Sequence, residues 1–254
     1  MARLLQRLVE SPRPCSYLGG ELASLVHEIL IEVEPAEMEL LLEHGWRRFG
    51  PVYFRPACGS CRACISLRVP VATFRPSRGQ RRAQRRGMAL RAEVGPVRVD
   101  ASRLALHARW HAAREHARGW EAAPLSAEDY ARQFGFPHPC GREIAYFDDH
   151  PLVGEAPRLV GVGLCDETPR AYSAIYFFHD PDYARWSPGV VHILNLLDLA
   201  RRQGKAHVYL GFQIDGCASM RYKAAFLPNE RLEGRPGADE TPTWRLSGST
   251  EDDA

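Results

Sequence analysis

The chain has 254 residues, 45% of them hydrophobic and 25% charged, with seven cysteines and a formal net charge of +2. That composition fits a globular protein of one large or two modest domains and excludes a mostly disordered chain, a collagen-like repeat and a small disulfide scaffold. The charge is uneven: residues 1–43 carry 8 acids and 3 bases, residues 44–91 carry 12 arginines and no acid, and residues 92–254 carry 23 acids and 18 bases. An arginine-rich composition explains why Arg replaces Lys, but an acid-free run of 48 residues points further, to a face that meets a polyanion.

Met1 to Glu10 has no apolar core of signal-peptide length, and no apolar run approaches the roughly 18 residues of a membrane span. With an odd number of cysteines and no export signal, the expected compartment is the cytoplasm. Ser16 to Val33 opens with a turn and runs into a strand over 25–33. Pro35 starts a helix, Ala36 to His44, which Gly45 stops. Residues 46–55 alternate and predict a strand around a turn at Gly50-Pro51. The cysteine cluster that follows is a loop. Residues 64–71 read as a strand that Pro70 ends or places at an edge. A loop over 74–79 leads into a basic helix ending near Gly87.

A strand over 90–99 precedes a helix from about Ser102 to Arg118. A second helix, Ser126 to Phe134, is capped by Ser126. Residues 143–148 and 159–165 predict strands joined by a polar turn, and 171–178 is strongly β. A loop over 179–189, a helix over 190–202 ended by Gly204, a strand over 207–213 and a short helix from Gly216 to Phe226 complete the pattern. A soft boundary between residues 88 and 101 sets the expected domains. These are 1–95, with the cysteine cluster and basic helix, 96–233 as the catalytic domain, and a loosely ordered tail over 234–254.

Two patterns carry chemistry on their own. Arg78, Arg81, Arg82, Arg85 and Arg86 share one helix face, with Arg75 in the loop before it. Such a face supplies phosphate contacts, which give affinity without reading sequence; otherwise it is a solvated basic helix. Cys58, Cys61 and Cys64 have ligand-like spacing and Cys15 can be a fourth, so zinc, an iron–sulfur cluster and free thiols all stay open. His107 and His111 sit at i, i+4 but lack a third ligand, which favours packing. No Gly-x-Ser-x-Gly elbow, Walker loop or HExxH word is present.

Four stretches together resemble the aminoacyl-tRNA–protein transferases of the N-end rule pathway. They are Arg13-Pro-Cys-Ser-Tyr-Leu18; Gly45-Trp-Arg-Arg-Phe-Gly50 with Phe54-Arg-Pro-Ala-Cys58; Phe74-Arg-Pro-Ser-Arg78 with Gln80-Arg-Arg82; and Ser173 to Tyr183 with Tyr209-Leu-Gly-Phe212 and Ser219-Met-Arg-Tyr-Lys223. The compact length and the Cys-Ser-Tyr-Leu opening are most similar to the bacterial branch, the aspartate/glutamate leucyltransferases; the larger eukaryotic members are arginyltransferases. The resemblance implies an α+β, acetyltransferase-like (GNAT) fold in two halves, with an N-terminal cysteine-bearing region. It implies transfer of leucine from Leu-tRNA to proteins beginning with Asp or Glu, which creates a degradation signal, with arginyl transfer as the alternative.

No cofactor is required, because the tRNA ester is already activated. The eukaryotic relatives carry a cysteine group proposed to bind an iron–sulfur cluster. This chain departs from that pattern, with one early cysteine and a later triplet. The resemblance places Ser187 and Gly189 at a turn that cradles the aminoacyl adenosine. Gln213 and Tyr222 become catalytic candidates, and Lys223 with Arg221 candidate readers of the acceptor's acidic side chain. A carboxylate is best held by Arg or Lys, and two residues two apart on a helix cannot share a face, so Lys223 is expected to point inward and Arg221 toward the tRNA. Two other classes remain. A non-catalytic RNA-binding or redox-sensing protein would use the basic helix and cysteines alone. An acetyl-CoA-dependent acetyltransferase would need an Arg/Gln-x-x-Gly-x-Gly/Ala loop before residue 190, which is absent.

Overall fold

The computed structural model describes residues 1–118, 125–151, 154 and 156–247. The first elements are β1 (Arg3–Val9), β2 (Arg13–Pro14), β3 (Leu22–Ala23), β4 (Leu25–Ile31), α1 (Pro35–Glu43), β5 (Arg47–Phe49) and β6 (Val52–Pro56). β1, β4, β6 and β5 form a small, wholly antiparallel sheet in that order. α1 starts with Pro35 in its first turn and a reciprocal capping box between Glu34 and Glu37, which satisfies amides that the first turn leaves open. Its Met38 and Leu42 are buried against Val26, Leu30, Trp46 and Tyr53.

The chain continues with β7 (Ile65–Pro70), α2 (Arg78–Gly87), β8 (Arg91–Gly95), α3 (Ala101–Arg118), α4 (Ala127–Gln133), β9 (Gly141–Asp148), β10 (Arg158–Glu167) and β11 (Ala171–His179). A 3₁₀ turn (Pro181–Trp186) leads to α5 (Pro188–Arg202), β12 (His207–Gln213), α6 (Ala218–Arg221), a second 3₁₀ turn (Tyr222–Ala225), β13 (Asn229–Leu232) and β14 (Trp244–Ser247). These strands make an eight-stranded sheet in the order β14-β13-β7-β12-β11-β10-β9-β8. From β8 to β11 it is an antiparallel meander. α5 then crosses over so that β12 pairs parallel with β11. An antiparallel run followed by a helical crossover into a parallel pair is the acetyltransferase-like, α+β arrangement that the resemblance implies.

α5 packs on one face of this sheet. Ile193, Leu194, Leu196, Leu197 and Ala200 join Leu67, Val69, Val208 and Leu210 in the main core, each large aliphatic side chain adding about 1.5–3 kcal/mol. α3 and α4 cover the opposite face, where Leu106, Trp110 and Tyr130 meet Val162, Leu164 and Phe178. α2 lies against α5 so closely that a Cβ on Gly87 would come within 2.3 Å of Val191.

Three features depart from the sequence expectations. β1 is an edge strand in a stretch read only for export signals. All seven of its residues are exposed, so no burial alternation marks it. The large sheet runs across the expected division at 95/96, because β7 sits between β12 and β13. Residues 244–247, placed in a loose tail, form β14. Trp244 pins them: its indole N–H donates to the Glu43 carbonyl at 3.2 Å, and Arg68 lies over its ring at 4.3 Å.

Candidate active site where two strands part

β11 and β12 pair only over Ala171–Ser173 and His207–Tyr209, and then they diverge. A register shift in β12 between Tyr209 and Gly211 and a left-handed Gly211, φ +78°, turn the strand away from its neighbour. β11 changes from buried at 171–173 to half-buried at 174–177 at the same point. Parting strands leave backbone carbonyls without sheet partners, and buried carbonyls need donors.

Two cations supply them, one on each side of the gap. Arg47, from β5, donates a guanidinium N–H to the Ala174 carbonyl on β11. Lys223, from the 3₁₀ turn after α6, donates to the Phe212 carbonyl on β12 at 3.0 Å. A Cβ on Gly211 would make only ordinary contact with the guanidinium, at 3.4 Å, so it is the positive φ that calls for glycine here. Among the described residues neither cation has an acid within ion-pair distance. Burial, and then the Arg47 charge, pull the Lys223 ammonium down to about 7. Burial likewise draws Arg47 down to about 10. The adjacent Arg48 points the other way and makes a buried, two-pronged ion pair with Asp166, because successive strand residues face opposite sides.

Gln213 closes the gap at its β12 end. It is 0% exposed; its amide nitrogen donates to Asp215, and its Oε1 is buried with no partner. Tyr222 is 40% exposed, and burial of its hydroxyl raises the phenol above its ordinary value, so it stays protonated and can donate. Arg221 is exposed, opposite in sense to the half-buried Lys223.

Ser187 joins the 3₁₀ turn to α5 in a left-handed conformation, φ 56° and ψ 55°, with no side-chain cap bond. The amides of Val190 and Val191 both go to the Ser187 carbonyl, and Pro188 has none. Gly189 is therefore the residue of this first turn whose N–H has no backbone acceptor among the described residues. The loop before the turn is anchored by Asp180, which is paired with Arg109 and Arg158.

All four family-like stretches reach this region. The first packs on the loop after β12, where a Cβ on Gly216 would meet Leu18 at 2.6 Å. The second brings Arg47. The third starts α2 with a capping box between Ser77 and Gln80, and Gln80 also donates to the Ala225 carbonyl at 3.1 Å. The fourth contributes β11, β12 and Lys223.

Arg75, Arg78, Arg81, Arg82, Arg85 and Arg86 are all exposed, and none forms an ion pair among the described residues. Their basic face reaches the loop before α5, where Arg86 donates to the Arg185 carbonyl at 3.3 Å.

The cysteines gather without forming a metal site. Burial and then the neighbouring thiols Cys58, Cys15 and Cys61 push Cys64 up to about 11. The Cys58 thiol lies 3.6 Å from the Ser24 carbonyl, and Arg235 ties the Cys58 and Cys61 carbonyls together. No three His, Cys, Asp or Glu among the described residues are placed to hold an ion, so the expected ligands Cys15, Cys58, Cys61 and Cys64 do not fit a metal as folded. His107 and His111 stack at 4.2 Å in an aromatic cluster, and burial brings His107 to about 4, consistent with packing.

Arg47 is the buried cation at the gap that the sequence reading did not single out. A signal was present: it stands inside the Gly45–Gly50 word, next to an arginine on the opposite strand face.

Comparison with known proteins identifies the family. Residues 102–233 match the family described as arginine-tRNA-protein transferase, C terminus, and residues 13–82 match its N terminus. The aspartate/glutamate leucyltransferase of Helicobacter hepaticus is 32% identical over 244 residues, covering 94% of this chain and 98% of that one. The enzyme of the same name from Pseudoalteromonas atlantica is 38% identical over 223 residues, covering 86% and 90%. Among solved structures, FemX overlaps with a TM-score of 0.46 at 9% identity, covering 83% of this chain and 79% of that one; the fold assignment rests on the sheet order instead.

Proposed function

The chain belongs to the arginine-tRNA-protein transferase family, and from that premise we propose that it transfers leucine from Leu-tRNA to the N-terminal Asp or Glu of acceptor proteins. The observation that carries the acidic acceptor is the pair of unmatched cations at the strand gap, beside an open acceptor atom on Gln213.

The chemistry is an ester aminolysis. The acceptor's α-amine, having lost a proton, attacks the aminoacyl carbonyl. A C–N bond forms, the ester C–O bond breaks, the attacking nitrogen gives up a second proton, and the leaving oxygen takes one up, so that the tRNA departs as its 3′-terminal hydroxyl. The ester supplies the driving force, so the reaction requires no ATP. The protein's contribution is positioning and charge stabilisation. Gln213 Oε1 accepts an N–H of the amine and orients it; a carboxamide is too weak a base to take the proton. Tyr222, kept protonated, donates toward the oxygen that becomes negative. Lys223 faces the acceptor's side-chain carboxylate, and Arg221 faces the tRNA.

The α2 arginines hold tRNA phosphates. Because α2 packs on α5 and its first turn bonds Ala225, tRNA held there brings its 3′ end to Ser187, Gly189 and the gap. No helix among the described residues is long and apolar enough to cross a membrane, and the proposed use of aminoacyl-tRNA supports a cytoplasmic reading.

Incubation with a mixed charged-tRNA pool and peptides beginning with Asp, Glu, Lys or Ala tests the reading. Mass spectrometry is expected to show one added leucyl residue on the Asp and Glu peptides alone. An added arginyl residue replaces leucyl with arginyl transfer, and no addition to any peptide overturns the activity.

A further inference from the structure

Arg48 and Arg47 are neighbours in sequence, both buried, and treated oppositely by the fold. Arg48 is matched by Asp166. Arg47, 9% exposed, has five N–H donors, and its one hydrogen bond among the described residues is to the Ala174 carbonyl. Lys223 faces it with three donors and no acid. A buried guanidinium beside a half-buried ammonium, without an anion, weighs against the fold, and an entering carboxylate would offset that penalty. A strut holding β5 against β11 would need a single neutral donor. The planar guanidinium and the second cation exceed that need.

We propose that Arg47 is a specificity-determining residue that completes the acceptor site with Lys223. The two cations grip the acceptor's side-chain carboxylate across the gap, Arg47 from the β11 side and Lys223 from the β12 side. Gln213 Oε1 repels a carboxylate and attracts N–H, so the same gap separates the acceptor's two ends: acid to the cations, amine to Gln213. The inference rests on the acidic-acceptor reading above and adds to it the residue that makes the grip bidentate.

The test compares leucyl transfer to Asp- and Asn-initiated peptides by the wild type, Arg47→Gln and Arg47→Lys. Arg47→Gln is expected to lower kcat/KM on the Asp peptide by about 10- to 100-fold, mainly through KM. The Asp-over-Asn preference should collapse while the KM for Leu-tRNA stays unchanged. Arg47→Lys should fall in between, keeping the charge and losing the fork. An equal loss on both peptides, seen in kcat and in thermal stability, makes Arg47 a strut and overturns the assignment; so does full retention of the preference in Arg47→Gln.

If Arg47→Gln does not melt cooperatively, Arg47→Lys decides alone, and wild-type selectivity there overturns the proposal. A second measurement uses only the wild type: Asp-Ala-amide should raise its melting temperature and Asn-Ala-amide should not, with equal effects counting against the site. Failure of the wild type to modify any Asp or Glu peptide refutes the underlying activity, a result distinct from transfer that ignores Arg47.

Discussion

Replacing Lys223 with Met should change stability in a direction that depends on pH. The ammonium is drawn from the ordinary 10.5 to about 7, first by burial and then by Arg47. Below pH 7 it is charged in both the folded and the unfolded chain, so the folded state bears the whole penalty. Between about 7 and 10.5 the unfolded chain holds the proton and the folded chain has shed it, so wild-type stability rises with pH across that window.

A fully shielded ammonium shifted this far represents roughly 4–5 kcal/mol. Lys223 is only half-buried, and screening reduces that to about 2 kcal/mol. Methionine removes this penalty but leaves the Phe212 carbonyl without its donor, at about 1 kcal/mol. Lys223→Met should therefore be about 1 kcal/mol more stable than wild type at pH 6 and about 1 kcal/mol less stable at pH 10. In a domain of this size that is about 2–4 °C in Tm in each direction. Paired thermal melts from pH 6 to 10 measure it, and the comparison cancels every other titrating group. A Tm difference that is flat with pH, or that moves in the variant's favour as pH rises, refutes the reasoning.

Arg81→Glu with Arg85→Glu should weaken tRNA binding at low salt and reduce its salt dependence while the fold is kept; unchanged filter-binding affinity would exclude α2 as the tRNA face. Gly87→Ala should destabilise by about 1–3 kcal/mol despite alanine's better helix propensity, because the new Cβ meets Val191; a stabilised variant in chemical denaturation would mean α2 lies farther from α5. Asp166→Asn should cost about 3–5 kcal/mol by leaving Arg48 charged and unmatched, read as a lower urea midpoint. Protein purified anaerobically should carry far less than one equivalent of zinc or iron; a stoichiometric metal would show that the four thiols rearrange to bind it.

Much of the local structure was legible in the residues themselves. The Pro35 start and Gly45 stop bound α1, Ser126 caps α4, alternation marks the β5–β6 hairpin, and short apolar runs mark β9 through β12. Each signal lies within a few residues of the element it sets, because capping and side-chain periodicity are short-range effects. The basic face of α2 was legible for the same reason: helical spacing alone aligns its arginines. The family-like words contain Lys223, and the resemblance they carry made Gln213, Ser187 and Gly189 candidates near them, since a long word carries position as well as composition.

Strand partners and charge partners were decided only by the tertiary structure. β7 is placed between β12 and β13, and β14 is ordered by Trp244 on Glu43 and Arg68; these contacts join residues far apart in the chain, and no local pattern encodes them. The 12 arginines of the acid-free run meet different fates for that reason. Arg48 reaches Asp166 across 118 positions and Arg68 reaches Glu230 across 162, while the α2 arginines stay exposed without ion pairs. Arg47 is held at the gap between β11 and β12, beside Lys223, which is 176 positions away. Sequence determines which charges exist, but the long-range packing of β5 against a diverging sheet determines that these two lie together without an acid.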